Sequence, residues 1–212
     1  MLFAAEQAIA APFAVQVGDA RLALDAPAGF SDSQFTGSPR LIELAESLTS
    51  ASNRILLFAL EDGDLRRFMV GDPLELRRTV IAVTPKGMER ERLTPAAFAL
   101  FVGEALRELG NAPQEGDFAK YLDSQPPGRT ALLGGLRKDA DVVSVLQGAR
   151  QQGSGRSSDL PRYLISTNTL MLVRGKALSL SIFSRYENAA DLDWIRATTS
   201  RWVDELQRLN AR

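Results

Sequence analysis

Apolar positions along the chain follow two periods, and the secondary structure should change where the period does. Phe13, Val15 and Val17 alternate, Gly18-Asp19 interrupts, and Leu22 and Leu24 resume, which predicts a hairpin turning on two residues. Ala26-Pro27-Ala28-Gly29-Phe30 breaks the strand. Ser38-Pro39 then reads as an N-cap followed by Pro in the first helical turn, and Leu41, Leu44, Ala45 and Leu48 continue at helical spacing to about Thr49. Ile55–Leu60 is an unbroken apolar run that suits a strand buried on both faces. Leu65–Val70 and Leu74–Val83 are read as two further strands around Gly71-Asp72-Pro73.

A second capped helix opens at Thr94-Pro95 and runs to Leu109, where Gly110 stops it. Asn111–Gly128 holds two Gly- or Pro-rich breaks around one helical turn at Phe118–Leu122. Strands resume at Thr130–Arg137 and Val142–Ala149. Gln151–Ser158 is polar and rich in Gly and Ser, with nothing to bury, and reads as a flexible loop at 151–159. Tyr163–Thr169 and Leu170–Tyr186 form a long hairpin turned by Arg174-Gly175-Lys176. The chain closes with a helix from Asn188, striped by Leu192, Ile195, Thr199, Trp202, Val203, Leu206 and Leu209. The expected architecture is α+β: a tail or leader remnant over 1–12, then a single domain over 13–212. Its curved, mainly antiparallel sheet carries three main helices near 39–49, 95–109 and 189–209, with no second hydrophobic core.

Composition removes chemistry more than it adds any. The 212 residues carry a net charge of −1, so no global field gathers nucleic acid or anionic membrane, and neither is expected as a partner. Cys and His are both 0, which excludes disulfides, thiolate metal sites and every imidazole mechanism. No apolar run approaches membrane-spanning length. The Ala-rich start contains Ala8-Ile9-Ala10, a small-x-small form that a signal peptidase accepts, but no Lys or Arg precedes Arg21. A periplasmic or secreted location is the expectation, with a cytoplasmic one as the alternative. Four Lys against 21 Arg point to a GC-rich bacterial genome.

Catalytic motifs are missing from the sequence, and neither a metal site nor a cofactor is expected. Glu61-Asp62-Gly63-Asp64 reads as turn chemistry, Asp139 and Asp141 as a solvated turn, and Asp191 and Asp193 as charges at a helix start. One constellation stands out. A hairpin turning symmetrically about Asp72 sets Phe68 opposite Leu76 and Val70 opposite Leu74. The same register puts Arg66 opposite Arg78 and Arg67 opposite Arg77. Opposed like charges cost stability unless something neutralises them. Either Glu75, Glu61 or a helix carboxylate does so, or the four arginines form a patch for an anion or an acidic partner.

The stretch Leu22-Ala23-Leu24-Asp25-Ala26-Pro27-Ala28-Gly29-Phe30 resembles the strand and small-Pro-x-Gly-Phe opening of the PsbP/DcrB-like domains. The ending is also similar, with a hairpin over Leu170–Ser184 leading into Asp191-Leu192-Asp193-Trp194 and a final helix. That group includes the PsbP proteins, the Ran-binding Mog proteins and bacterial envelope proteins of the DcrB type. The resemblance implies a non-enzymatic binding or assembly module of the cell envelope and transfers no site residue. The expected partner is an unknown protein or a small anionic ligand, and the expected state is a monomer or weak oligomer. The alternative is a carboxylate-dependent hydrolase or lyase.

Overall fold

A computed structural model describes residues 12–110, 112–113, 118–151 and 163–211. The tail expected over 1–12 and the Gly/Ser loop expected at 151–159 lie outside the described residues, apart from Pro12 and Gln151. Alternation at both ends of Gly18-Asp19 produces the hairpin β1 (Phe13–Val17) and β2 (Ala20–Leu24) as a sheet of its own. The remaining strands are β3 (Phe30–Asp32), β4 (Asn53–Glu61), β5 (Arg78–Pro85), β6 (Ala131–Lys138), β7 (Val142–Arg150), β8 (Tyr163–Val173) and β9 (Lys176–Tyr186). They form one seven-stranded sheet in the order β3-β4-β5-β9-β8-β7-β6, antiparallel at every step. The helices are α1 (Pro39–Ser47), α2 (Asp62–Met69), α3 (Pro95–Leu106), α4 (Phe118–Asp123) and α5 (Ala189–Asn210). The fold is α+β, as expected, with the three main helices in place as α1, α3 and α5 and with α2 and α4 beside them among the described residues.

The expectation of one core gives way to two apolar clusters, one on each face of the shared sheet. The larger gathers Val17, Leu22 and Leu24 of the hairpin, the inward residues of β4–β9, and Leu192, Ile195, Trp202, Val203 and Leu206 of α5. The smaller packs Leu41 and Ala45 of α1 on Phe58, Leu60, Ile81 and Val83, with Leu65 and Phe68 of α2 at its margin. Strands buried on both sides need apolar residues at consecutive positions, and Leu56–Leu60 and Val80–Val83 provide them.

The strand expected over Leu65–Val70 is instead α2, and the strand expected from Leu74 starts only at Arg78. Helix formation there has visible causes. Asp62 and Asp64 sit in the positive first turn, Arg66 and Arg67 in the negative last turn, and Leu65 and Phe68 share one face. Asp64, 3% exposed, then accepts from the backbone N–H groups of Glu75 (3.0 Å) and Leu76 (2.9 Å). That holds 74–77 as a loop, with Leu76 at φ 51°. The hairpin register that set Arg66 against Arg78 and Arg67 against Arg77 therefore does not occur.

Three turns meet at one end of the sheet. Lys176, fully buried, donates to the carbonyls of Glu89 (3.0 Å) and Glu91 (2.6 Å) and pairs with Asp19 (2.9 Å). Arg92 reaches Asp19 at 2.7 Å, and Leu93 N–H donates to Gly175 O at 2.8 Å. Gly18 has φ 55°, and a Cβ there would lie 1.9 Å from Glu89 O. Gly18→Ala is therefore expected to cost about 2–3 kcal/mol through positive φ and overlap together. Urea unfolding of the variant checks this; a loss under about 0.5 kcal/mol would mean that the 86–93 loop moves aside freely.

Candidate functional site

Concavity arises where β3 stops early. Phe30–Asp32 pair with Ala59–Glu61, and Ser33 N–H reaches Phe58 O at 2.8 Å, so among the described residues no strand lies outside Asn53–Leu57 of β4. The chain turns away because the Asp32 carboxylate accepts from Gln34 N–H at 2.9 Å and starts a 3₁₀ turn, Gln34–Thr36. Gly37 and Ser38-Pro39 then launch α1 back across the second face. Between α1 and the uncovered half of β4 lies a trough of about 760 Å³. Leu41, Ala45, Ile55 and Phe58 line it, with Ile42, Arg54 and Lys86 among its other residues.

A second hollow of about 430 Å³ shares Gln34, Arg54 and Ile55 with the first and extends to Phe13, Val15, Asp32 and Phe35. Arg54 at the divide donates to Glu89 (2.9 Å) and to Gln16 O (2.7 Å), tying β4 to the hairpin. Lys86 donates to Ala51 O at 2.7 Å. Two large apolar side chains beside the trough are bare, Phe35 at 81% and Ile42 at 48% exposure. Nothing in the sequence singled these residues out, because the hollow depends on how far β3 extends along β4.

The four arginines reach three different surroundings. Arg66 is exposed on α2 and makes no ion pair among the described residues. Arg67 donates to Glu75 (2.6 Å) and Asp64 (3.2 Å). Arg77 meets Glu187 (3.4 Å) and Asp191 (3.5 Å). Arg78 meets Asp191 (3.3 Å) and Glu61 (3.6 Å), with its guanidinium 3.8 Å from the centre of the Trp194 ring. The structure thus brings Arg77 and Arg78 together around Asp191 and leaves Arg66 and Arg67 on α2. Glu75, Glu61 and a helix carboxylate do lie beside three of the four.

Asp191 is more than a first-turn charge. Its buried carboxylate also accepts from the N–H groups of Glu187 (3.0 Å) and Asn188 (3.2 Å), completing a capping box. Burial alone would push it up. The two N–H groups and the flanking guanidiniums outweigh burial and hold it below the usual carboxylate range.

Carboxylates that burial pushes up are Asp25, Asp32 and Glu61. Asp32 lines the hollow beside β1, and Glu61 lines a separate one with Asp62, Asp64, Arg67 and Glu75. Asp25 lines neither. The hydrolase or lyase alternative thus has no converging carboxylate pair of this kind among the described residues. Glu61-Asp62-Gly63-Asp64 is the junction of β4 and α2 rather than a turn, and Asp139 and Asp141 engage Arg137 and Gln207 separately. Among the described residues no three acidic side chains cluster as metal ligands would, and no helix is long and apolar enough to cross a membrane.

No family model matches the chain, and no curated protein matches it. Among solved structures it is similar to the Ran-binding protein Mog1p of Saccharomyces cerevisiae, at 10% identity and a TM-score of 0.39, over 96% of this chain and 94% of that one. The likeness is weak and concerns the fold alone.

Proposed function

We propose that the chain is a non-catalytic binding module whose trough takes an extended, apolar-anchored segment of a partner protein. The observation that carries this reading is the outer side of Asn53–Leu57, which no described strand covers, beside two hollows that share Gln34, Arg54 and Ile55. A strand without a neighbour presents backbone N–H and C=O groups, and an extended peptide is the ligand that supplies both partners at once. Leu41, Ala45, Ile55 and Phe58 offer the first hollow an apolar lining, and Phe13, Val15 and Phe35 offer one to the second. Arg54 between them sets the spacing of two anchors. An acidic partner face would be met apart from the trough, through Arg66 on α2, which has no carboxylate partner among the described residues. A cell-envelope location belongs to the same proposal, and fractionation of cells producing the full chain checks it.

Selection of random displayed peptides on the protein, followed by anisotropy titration, tests the reading. Enriched peptides should carry two apolar anchors. They should bind Ile42→Asp and Phe35→Ser at least about tenfold more weakly, since truncating an anchor contact typically exceeds about 1 kcal/mol. Both residues are exposed, so neither change disturbs the core. Failure to enrich any peptide, or unchanged affinity in both variants, overturns it.

A further inference from the structure

Strand β6 carries Gly134-Gly135, and its register against β7 shifts twice, between Leu132 and Gly134 and again between Gly135 and Arg137. Neither glycine takes a positive φ, and a Cβ on either would meet nothing within 4 Å. With no side chain there to fill the space, a hollow of about 520 Å³ opens between β6 and α5. It lies on the α5 face of the sheet, at the edge opposite β3, and shares no residue with the trough under α1.

The hollow has a hydroxyl at its floor with a donor to spare. Ser144 of β7, 2% exposed, stands opposite Thr169 of β8, and their hydroxyl oxygens lie 2.8 Å apart. That contact takes one of the two hydroxyl protons, and neither side chain has another hydrogen-bond partner among the described residues. The neighbouring pair differs: Thr167 meets Thr199 at 2.9 Å, and Thr199 donates to Ile195 O at 2.7 Å, so both protons are used. A buried hydroxyl proton without an acceptor is costly. When Thr169 donates to Ser144, the spare proton is on Ser144, which lines the hollow. The walls add a second donor and one loosely held charge. Ser200 has no hydrogen bond among the described residues. Asp204 and Arg137 pair at 2.6 Å, and Arg137 also binds Asp139 and Gln207. Arg196, by contrast, has Asp193 as its one carboxylate among the described residues, 4.0 Å away and 81% exposed.

We propose that this hollow binds a small organic monocarboxylate with a short aliphatic or aromatic body. The site is separate from the peptide trough and independent of that reading. A carboxylate only accepts, which suits the donors of Ser144 and Ser200, and its single charge matches the one guanidinium of the hollow that no carboxylate holds closely. Leu136 and Val203 give the hydrocarbon body a surface to pack on, which a bare phosphate would not use. Small-molecule sites span about 300–1,000 Å³, so the hollow has room for such a body.

Amide NMR spectra of the full chain, titrated with butyrate, benzoate and phenylacetate, test the proposal. At least one should give saturable shifts confined to 134–137, 143–145 and 196–204. Arg196→Gln, at the exposed mouth, should weaken that binding at least about tenfold, as the loss of a charge-assisted hydrogen bond does. Gly135→Val should abolish it by filling the hollow while moving Tm by no more than about 2 °C, since the space is open and the backbone unstrained. Should Gly135→Val fail to fold, Arg196→Gln decides alone. The proposal is overturned if none of the three carboxylates gives a saturable shift, or if binding is unchanged in the variants that fold. It is also overturned if benzyl alcohol or inorganic phosphate binds as tightly as the best carboxylate.

Discussion

Lys176→Met should lower the unfolding free energy by about 3–4 kcal/mol. The stem of the side chain is retained, so the change isolates the ammonium. Without it the carbonyls of Glu89 and Glu91 lose their donor in a part-buried setting, and the three-turn junction opens. Asp19 is the remaining partner, more than half exposed, and its carboxyl is held at about 2 by Lys176 and Arg92. Asp19→Asn should therefore cost far less than Lys176→Met. Urea midpoints for the two variants check the order. A Lys176→Met loss below about 1 kcal/mol would mean that water replaces the ammonium.

Asp191→Ala should cost about 3–4 kcal/mol, since it removes a helix cap and takes from two guanidiniums the buried carboxylate they share. Arg78 would remain over Trp194 with Glu61 alone as counter-ion, so tryptophan emission should shift as well. The pH dependence has a definite sign. A carboxyl held below its ordinary value stabilises the fold fully above about pH 4 and loses that contribution as pH falls through its lowered native value. In Asp191→Asn this part of the acid limb should flatten. Asp25, Asp32 and Glu61 are raised and act in reverse, with stability falling as pH rises from about 4 through their native values. An acid limb unchanged in Asp191→Asn would show that the Asp191 carboxyl takes up its proton alike in the folded and unfolded chain, against the lowering described here.

Helix starts were legible where a chemical rule is strict. Pro is tolerated in the first helical turn and not in the interior, so Ser38-Pro39 and Thr94-Pro95 mark the starts of α1 and α3. The hairpin over 13–24 was legible because two alternating runs flank a two-residue turn. Leu65–Val70 was misread because Leu65 and Phe68 fit either period over so short a run. The charge order, acids first and arginines last, favoured the helix. The arginine register fell with that strand. Trp194 and Asp191 as partners of Arg78 were beyond reach, since 113 residues separate Asp191 from Arg78 and only the β5–β9 pairing joins them. The trough was illegible for the same reason: it depends on where one edge strand ends.

The hairpin and α5 also set an order of events during synthesis. Asn210 exchanges two hydrogen bonds with the Ala23 backbone, at 2.9 and 2.8 Å, and Trp202 donates to Asp25 O at 2.7 Å. These bonds close loops of 187 and 177 residues. At about 5–20 residues per second, the ribosome makes Ala23 about 10–40 s before Asn210. Through that interval Val17, Leu22 and Leu24 have no α5 to cover them, and an isolated two-stranded hairpin is marginal in water. The strands made first are secured last, and any factor that engages nascent chains meets them bare.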